Sequence, residues 1–79
     1  MLEMKPACEC CGADLPADQE GVHICSFECT FCGPCAEDVL NGVCPNCGGG
    51  FSIRPTRTGE TLQKYPASTK RIVKPDGCS

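Results

Sequence analysis

The sequence predicts a small α+β domain that is stabilised by two bound metal ions. Eight of its ten cysteines fall into four pairs within forty residues, and its large apolar residues are few. A structural zinc ion takes four soft ligands at tetrahedral corners, so four cysteine pairs make two complete four-cysteine sites. The predicted metal ligands are Cys8, Cys11, Cys25, Cys29, Cys32, Cys35, Cys44 and Cys47.

The apolar content is too small for the chain to fold by apolar burial alone. Of its 79 residues 41% are hydrophobic, but that fraction includes ten cysteines, and the chain has no Trp, one Tyr and three Phe. Small domains bury a small share of their surface on folding. A structural zinc site contributes on the order of 10–16 kcal/mol. We therefore expect two zinc ions as structural cofactors.

The cysteine spacing and the start of the chain together favour a reduced, cytoplasmic protein. Residues 1–6 lack the apolar region of a signal peptide, and no segment approaches the length of a membrane span. Cysteine pairs at these gaps in a cytosolic protein indicate metal binding rather than disulfide bonds. A secreted protein with a disulfide framework is the alternative.

Charge is distributed unevenly along the chain. Residues 1–50 carry eight acids and one base, whereas residues 51–79 carry six bases and two acids. Each zinc tetrathiolate adds about −2, because four thiolates outweigh one dication. Phosphate would be repelled by so acidic a head. We therefore expect a protein partner, with no membrane binding and no nucleic acid bound by the head.

The positions of proline, glycine and the short apolar runs predict one short helix and a small hairpin. Residues 33–42 read as the helix, with Pro34 in its first turn and Gly42 as its left-handed stop. Residues 22–24 and 51–54 are candidate strands, the second folding back onto the head. Three glycines at 48–50 end the cysteine-rich segment.

These patterns divide the chain into two segments. Residues 1–57 are predicted to form the two-zinc domain, and residues 58–79 a flexible basic tail. The tail and the residues just before it contain Tyr65 and six widely spaced bases. We expect these side chains to be solvated; the alternatives are that they bind RNA or an acidic partner, or fold back on the acidic head. These bases are Arg54, Arg57, Lys64, Lys70, Arg71 and Lys74.

Two ligand pairings are plausible for the four cysteine pairs. In the sequential pairing, pairs one and two share a metal, as do pairs three and four. In the cross-braced pairing, pairs one and three share a metal, as do pairs two and four. The run from Cys25 to Cys35 is so compact that its two pairs are expected to face different ions, which favours cross-bracing without excluding the alternative.

The order of these elements resembles the RING finger and its treble-clef relatives. The match runs from Cys8 to Cys47 and ends in Cys-Pro-x-Cys, and Cys29 stands where RING proteins usually have His. RING ubiquitin ligases also carry a bulky aliphatic residue before the second cysteine, an aromatic near the helix and a basic residue after the last cysteine. Here the first place holds Cys10, the chain has no Trp, and the last place holds Gly48. Ligase activity is therefore only a weaker alternative. The resemblance implies that Cys8, Cys11, Cys32 and Cys35 hold one zinc and that Cys25, Cys29, Cys44 and Cys47 hold the other.

A more specific resemblance is to a family of small, mostly bacterial proteins known as domain of unknown function 1272. It is carried by the segments at residues 25–32 and 44–49, by the lead-in at residues 1–6 and by Leu15-Pro16. The resemblance covers residues 1–57. It implies zinc binding and no particular activity.

Three residues with metal-binding side chains are left outside the predicted sites. Cys10 is expected to be a spare thiol, and Cys78 an unliganded cysteine in the tail. His23, the only histidine, is expected to lie on a strand beside the metal, with a ligand role as the alternative.

No pattern of catalytic residues is present, and a saturated four-thiolate site leaves no position for a catalytic water. The sequence therefore favours a structural zinc module that serves as a protein-interaction domain, and not an enzyme. The alternatives are a metallothionein-like zinc store, carrier or sensor, and a rubredoxin-like iron site, which the Cys-Pro-Asn-Cys-Gly segment at residues 44–48 would also suit.

Overall fold

In the computed structural model, which describes residues 3–74, the chain is arranged around a small three-stranded sheet. The strands are β1 (His23–Ile24), β2 (Thr30–Phe31) and β3 (Ser52–Ile53). The sheet has the order β2-β1-β3, and both neighbouring pairs are antiparallel. The predicted hairpin and the strand that folds back onto the head are therefore both present.

A tight loop joins β1 to β2 and carries one predicted cysteine pair. The backbone N–H of Cys25 donates to the carbonyl of Cys29 at 3.1 Å, and that of Glu28 donates to the Cys25 carbonyl at 2.9 Å. Glu28 adopts a left-handed φ of 62°. This turn folds the loop back on itself, so that both cysteines of the pair lie at the end of the hairpin.

The predicted short helix forms, with a wider turn than the sequence suggests. Cys35–Val39 is a π-helical turn, in which the N–H of Leu40 donates to the carbonyl of Cys35, five residues earlier, at 2.8 Å. Asn41 and Gly42 then take left-handed φ values of 51° and 76° and end the helix. π-Helical turns are rare and occur frequently at functional sites, and this one begins at a predicted metal ligand, Cys35.

The core is thin, as the composition predicts, and half of its buried residues are cysteines. Phe31 is fully buried, and its ring meets the ring of Phe51 edge-on with centroids 5.4 Å apart. Five of the eight predicted ligands lie inside this cluster, whereas Cys32 and Cys47 are half-buried and Cys11 is exposed. The buried cluster consists of Cys8, Leu15, Val22, Cys25, Cys29, Phe31, Cys35, Ala36, Leu40 and Cys44.

Arg54 is the largest fully buried side chain, with 1% of its surface exposed. Its guanidinium group donates to the carbonyl oxygens of Lys5 at 3.0 Å, Leu15 at 3.2 Å and Pro16 at 3.0 Å. Burial lowers the pKa of Arg54. This base, counted from the sequence among those near the tail, therefore ties the end of β3 to the lead-in and to the first loop.

The described part of the tail contains a short helix, α1 (Gly59–Lys64), and then lies against the head. The N–H of Lys74 donates to the Glu9 carbonyl at 2.8 Å, and Arg71 forms an exposed ion pair with Asp14 at 2.7 Å. Of the arrangements considered for the basic tail, these contacts match the one in which it folds back on the acidic head. The division at residue 57 and the flexibility of the tail stay predictions. No helix within residues 3–74 is long and apolar enough to cross a membrane.

Candidate metal centres

The first cluster of sulfurs combines the first and third cysteine pairs. The sulfur atoms of Cys8, Cys11, Cys32 and Cys35 all lie within 4.8 Å of one another. Those of Cys11 and Cys32 are 3.8 Å apart. Four cysteine sulfurs that converge in this way match the ligand set of a structural zinc ion. We refer to these four residues as site A.

A tight turn presents the first pair to site A. The N–H of Gly12 donates to the Cys8 carbonyl at 2.9 Å, and the N–H groups of Cys10 and Cys11 point at the Cys8 sulfur from 3.4 and 3.5 Å. Gly12 has a φ of 79°, a conformation that a side chain would strain. The turn thus aims two sulfurs in one direction and places backbone donors on one of them.

The second cluster combines the second and fourth pairs. The sulfurs of Cys25, Cys44 and Cys47 lie within 4.8 Å of one another. A turn like that of site A closes the fourth pair, because the N–H of Gly48 donates to the Cys44 carbonyl at 2.8 Å. The Cys25 sulfur accepts the backbone N–H groups of residues 27 and 29, both at 3.3 Å.

Cys29, the fourth predicted ligand here, lies beside this cluster. Its thiol hydrogen-bonds that of Cys25, yet its sulfur is not among the three that converge within 4.8 Å. It is buried, and the side-chain amide of Asn46 donates to its sulfur at 3.4 Å. We refer to the three converging cysteines together with Cys29 as site B. The grouping of the pairs is cross-braced, the arrangement that the compact central run favours.

Comparison with known proteins agrees with the resemblance described above. The family model described as "Protein of unknown function (DUF1272)" matches residues 1–57. The chain belongs to the DUF1272 family. Among relatives of this DUF1272 protein, the uncharacterized protein R02474 of Rhizobium meliloti (strain 1021) is 57% identical over 79 residues, which covers 100% of this chain and 94% of the relative. No solved structure shows significant similarity to this chain.

Within residues 3–74, Cys10 and the single histidine lie outside both sites. His23 belongs to neither cluster, and its Nδ1 lies 3.0 Å from the Gly21 carbonyl oxygen. Cys10 is also outside both, and its sulfur is disulfide-bonded, which corrects the expectation of a spare thiol. Cys78 lies outside the described residues.

Two residues beside site B were not singled out by the sequence patterns. Glu9 is 4% exposed, and its carboxylate accepts the backbone N–H of Thr30 at 2.7 Å and the amide of Asn46 at 3.5 Å. Lys5 forms a buried ion pair with it at 3.4 Å. In the sequence, Glu9 is one of eight acids in the head. Its position between two cysteines of site A, and that of Asn46 between two cysteines of site B, are the signals that place both residues near a metal.

Each site of the DUF1272 protein contains one thiol of low pKa. Burial raises the pKa of the Cys8 and Cys25 thiols, but the hydrogen bonds that their sulfurs accept lower it by more, so each lies at about 7 instead of 9.0. Burial, together with hydrogen bonds to neighbouring thiols, raises the pKa of Cys35 and brings that of Cys44 to about 12. One ligand in each site is therefore close to its metal-binding form at neutral pH.

We expect metal binding to displace fewer protons as the pH rises through about 7. Below that pH each tetrathiolate ion displaces about four protons. Above it Cys8 and Cys25 have already lost theirs, because their pKa values are lowered, so the number falls by about one per site. A pH indicator followed during metal titration of the metal-free, reduced protein measures this. A constant number between about pH 6 and 8 would contradict it.

Proposed function

We propose that this DUF1272 protein is a structural module with two zinc ions, RING-like or treble-clef in its wiring, that presents a surface to a protein partner in the cytoplasm. The observation that carries this proposal is the convergence of the cysteine pairs into two interleaved sites that share five buried cysteines with the core. All-cysteine tetrahedral sets are typical of structural zinc. A tetrathiolate with all four positions filled has none left for substrate or water, which supports a role other than catalysis.

Exposed apolar side chains support an interaction role. Phe27 is 74% exposed at the tip of the hairpin loop, and Val43 is 51% exposed just after the helix. Val39 on the helix itself is also exposed, whereas Leu15 and Ala17 in the loop at residues 12–21 are buried. Of the two candidate contact regions, the helix is therefore better supported than that loop.

A second candidate function, a zinc carrier or sensor, is favoured by the exposure of site A. Cys11 is exposed and Cys32 is half-buried, so two of the four sulfurs are accessible to a chelating molecule. A metal ion exchanges more readily when an incoming ligand can reach its sulfurs. This feature distinguishes site A from site B, in which Cys25, Cys29 and Cys44 are all buried.

The metal content of the reduced protein tests the proposal. Native mass spectrometry is expected to find two zinc ions, and a chelator titration followed by circular dichroism is expected to show the ions and the fold lost together, because the metal supplies folding free energy. Zinc that leaves while the fold persists would favour the carrier or sensor. A red protein would indicate iron, and a metal-free protein with disulfide bonds would contradict the proposal.

A further inference from the structure

We propose that Asn46 is a positioning residue for Cys29, the cysteine that completes site B, and that the buried carboxylate of Glu9 orients Asn46 for this task. The inference deepens the proposed metal binding and rests on it. The side-chain amide of Asn46 donates both to the Cys29 sulfur and to the carboxylate of Glu9, which lies in the turn of site A.

Cys29 differs from the other ligands in what holds its sulfur. The sulfurs of Cys8 and Cys25 accept backbone N–H groups from their own turns. The Cys29 sulfur accepts the side-chain amide of Asn46, which is 17 residues away in the chain. The turn holds the backbone of Cys29, and the contact with Asn46, in a second segment, holds its sulfur.

Asn46 is well placed to bring Cys29 to the metal. It lies between Cys44 and Cys47, so its backbone belongs to the turn that supplies half of site B. Its side chain reaches across to Cys29, in the loop that supplies the other half. The same contact therefore holds the fourth ligand beside the other three.

Glu9 connects this contact to site A. It lies between Cys8 and Cys11, and one carboxylate oxygen accepts the Asn46 amide at 3.5 Å. Its other oxygen accepts the N–H of Thr30 at 2.7 Å and lies 3.4 Å from the Lys5 ammonium, which offsets the cost of burying a negative charge beside thiolates. A residue in the turn of site A, Glu9, therefore orients Asn46, the residue that positions the last ligand of site B.

The test is a cobalt(II) titration of the full-length, reduced, metal-free protein. In wild type, two equivalents of cobalt are expected to bind with the spectrum of tetrahedral four-thiolate coordination. In Asn46→Ala one equivalent should bind as in wild type, and the affinity for the other should fall by about 10–100-fold, the usual effect of removing a residue that orients a ligand. The sulfur-to-cobalt charge-transfer band of that weakened equivalent should move to lower energy, because a thiolate that loses a hydrogen bond is more electron-rich.

Two variants separate positioning from general stability. Asn46→Asp keeps the shape, lacks the donor and adds a negative charge, so a larger loss at the same site is expected. Asn41→Gly is the matched control, since Asn41 has a left-handed φ of 51° that glycine tolerates, and both affinities should be unchanged.

Unchanged affinities and spectra in Asn46→Ala, or equal weakening of both equivalents, would overturn the inference and leave metal binding intact. Failure of wild type to bind two equivalents would overturn the proposed function itself.

Discussion

Replacement of Cys11 by Ala is expected to remove one metal ion and to unfold the chain, whereas the same replacement of its neighbour Cys10 leaves both ions bound. Cys11 belongs to site A and Cys10 to neither site. The sulfur of Cys10 is not needed for the turn, because only its backbone N–H contacts Cys8. A structural zinc site is worth about 10–16 kcal/mol, more than the whole stability of most small domains.

Native mass spectrometry counts the metal ions bound by each variant, and far-ultraviolet circular dichroism shows whether each variant is folded, both under reducing conditions. Reduction removes any contribution of a disulfide at Cys10, so the variants then differ in a ligand and not in a cross-link. Two metal ions and a native spectrum in Cys11→Ala would contradict the assignment of Cys11 to site A. Loss of a metal ion in Cys10→Ala would assign Cys10 as a ligand instead.

Replacement of Arg54 by Ala is expected to destabilise the metal-bound protein by about 3–5 kcal/mol. The guanidinium group donates to three backbone carbonyls and is fully buried. Each buried acceptor left without a donor costs about 1–3 kcal/mol, and the lost side chain leaves a cavity as well. Chemical denaturation at a fixed zinc concentration measures the free energy of unfolding.

The matched control for Arg54 is Arg71, which makes an exposed ion pair with Asp14. Arg71→Ala is expected to cost at most about 1 kcal/mol, because water screens an exposed pair. Arg54→Lys should fall between the two, since one ammonium group cannot reach all the acceptors of a planar guanidinium. Equal effects of Arg54→Ala and Arg71→Ala would show that the buried contacts do not stabilise the fold.

The cysteine spacing alone predicted the cross-braced grouping as the favoured one, and the structure agrees for seven of the eight cysteines. A Cys-x2-Cys turn is a local structure, because its geometry depends on a few consecutive residues. The short helix that precedes Gly42 was predictable for the same reason, since a left-handed stop is set by one residue type. The family was predictable from the segments around the ligands.

The polar contacts between distant segments were decided only by the tertiary structure. Arg54 meets the carbonyl of Lys5, 49 residues away, and Asn46 meets Glu9, 37 residues away. In the sequence these side chains are ordinary bases, acids and amides of a polar chain. Whether a charged or polar group is buried depends on which segments pack around it, and spacing along the chain carries no information about that.

The sequence by itself therefore determined the metal ligands that we predict, the favoured pairing, the short helix and the family. The tertiary structure alone decided that Cys29 lies beside its cluster, that Glu9 and Asn46 link the two sites, and that Arg54 is part of the core. The physical reason is the range of the interactions. Turns and helix ends arise from neighbouring residues, whereas burial and its compensating hydrogen bonds arise from segments brought together by folding.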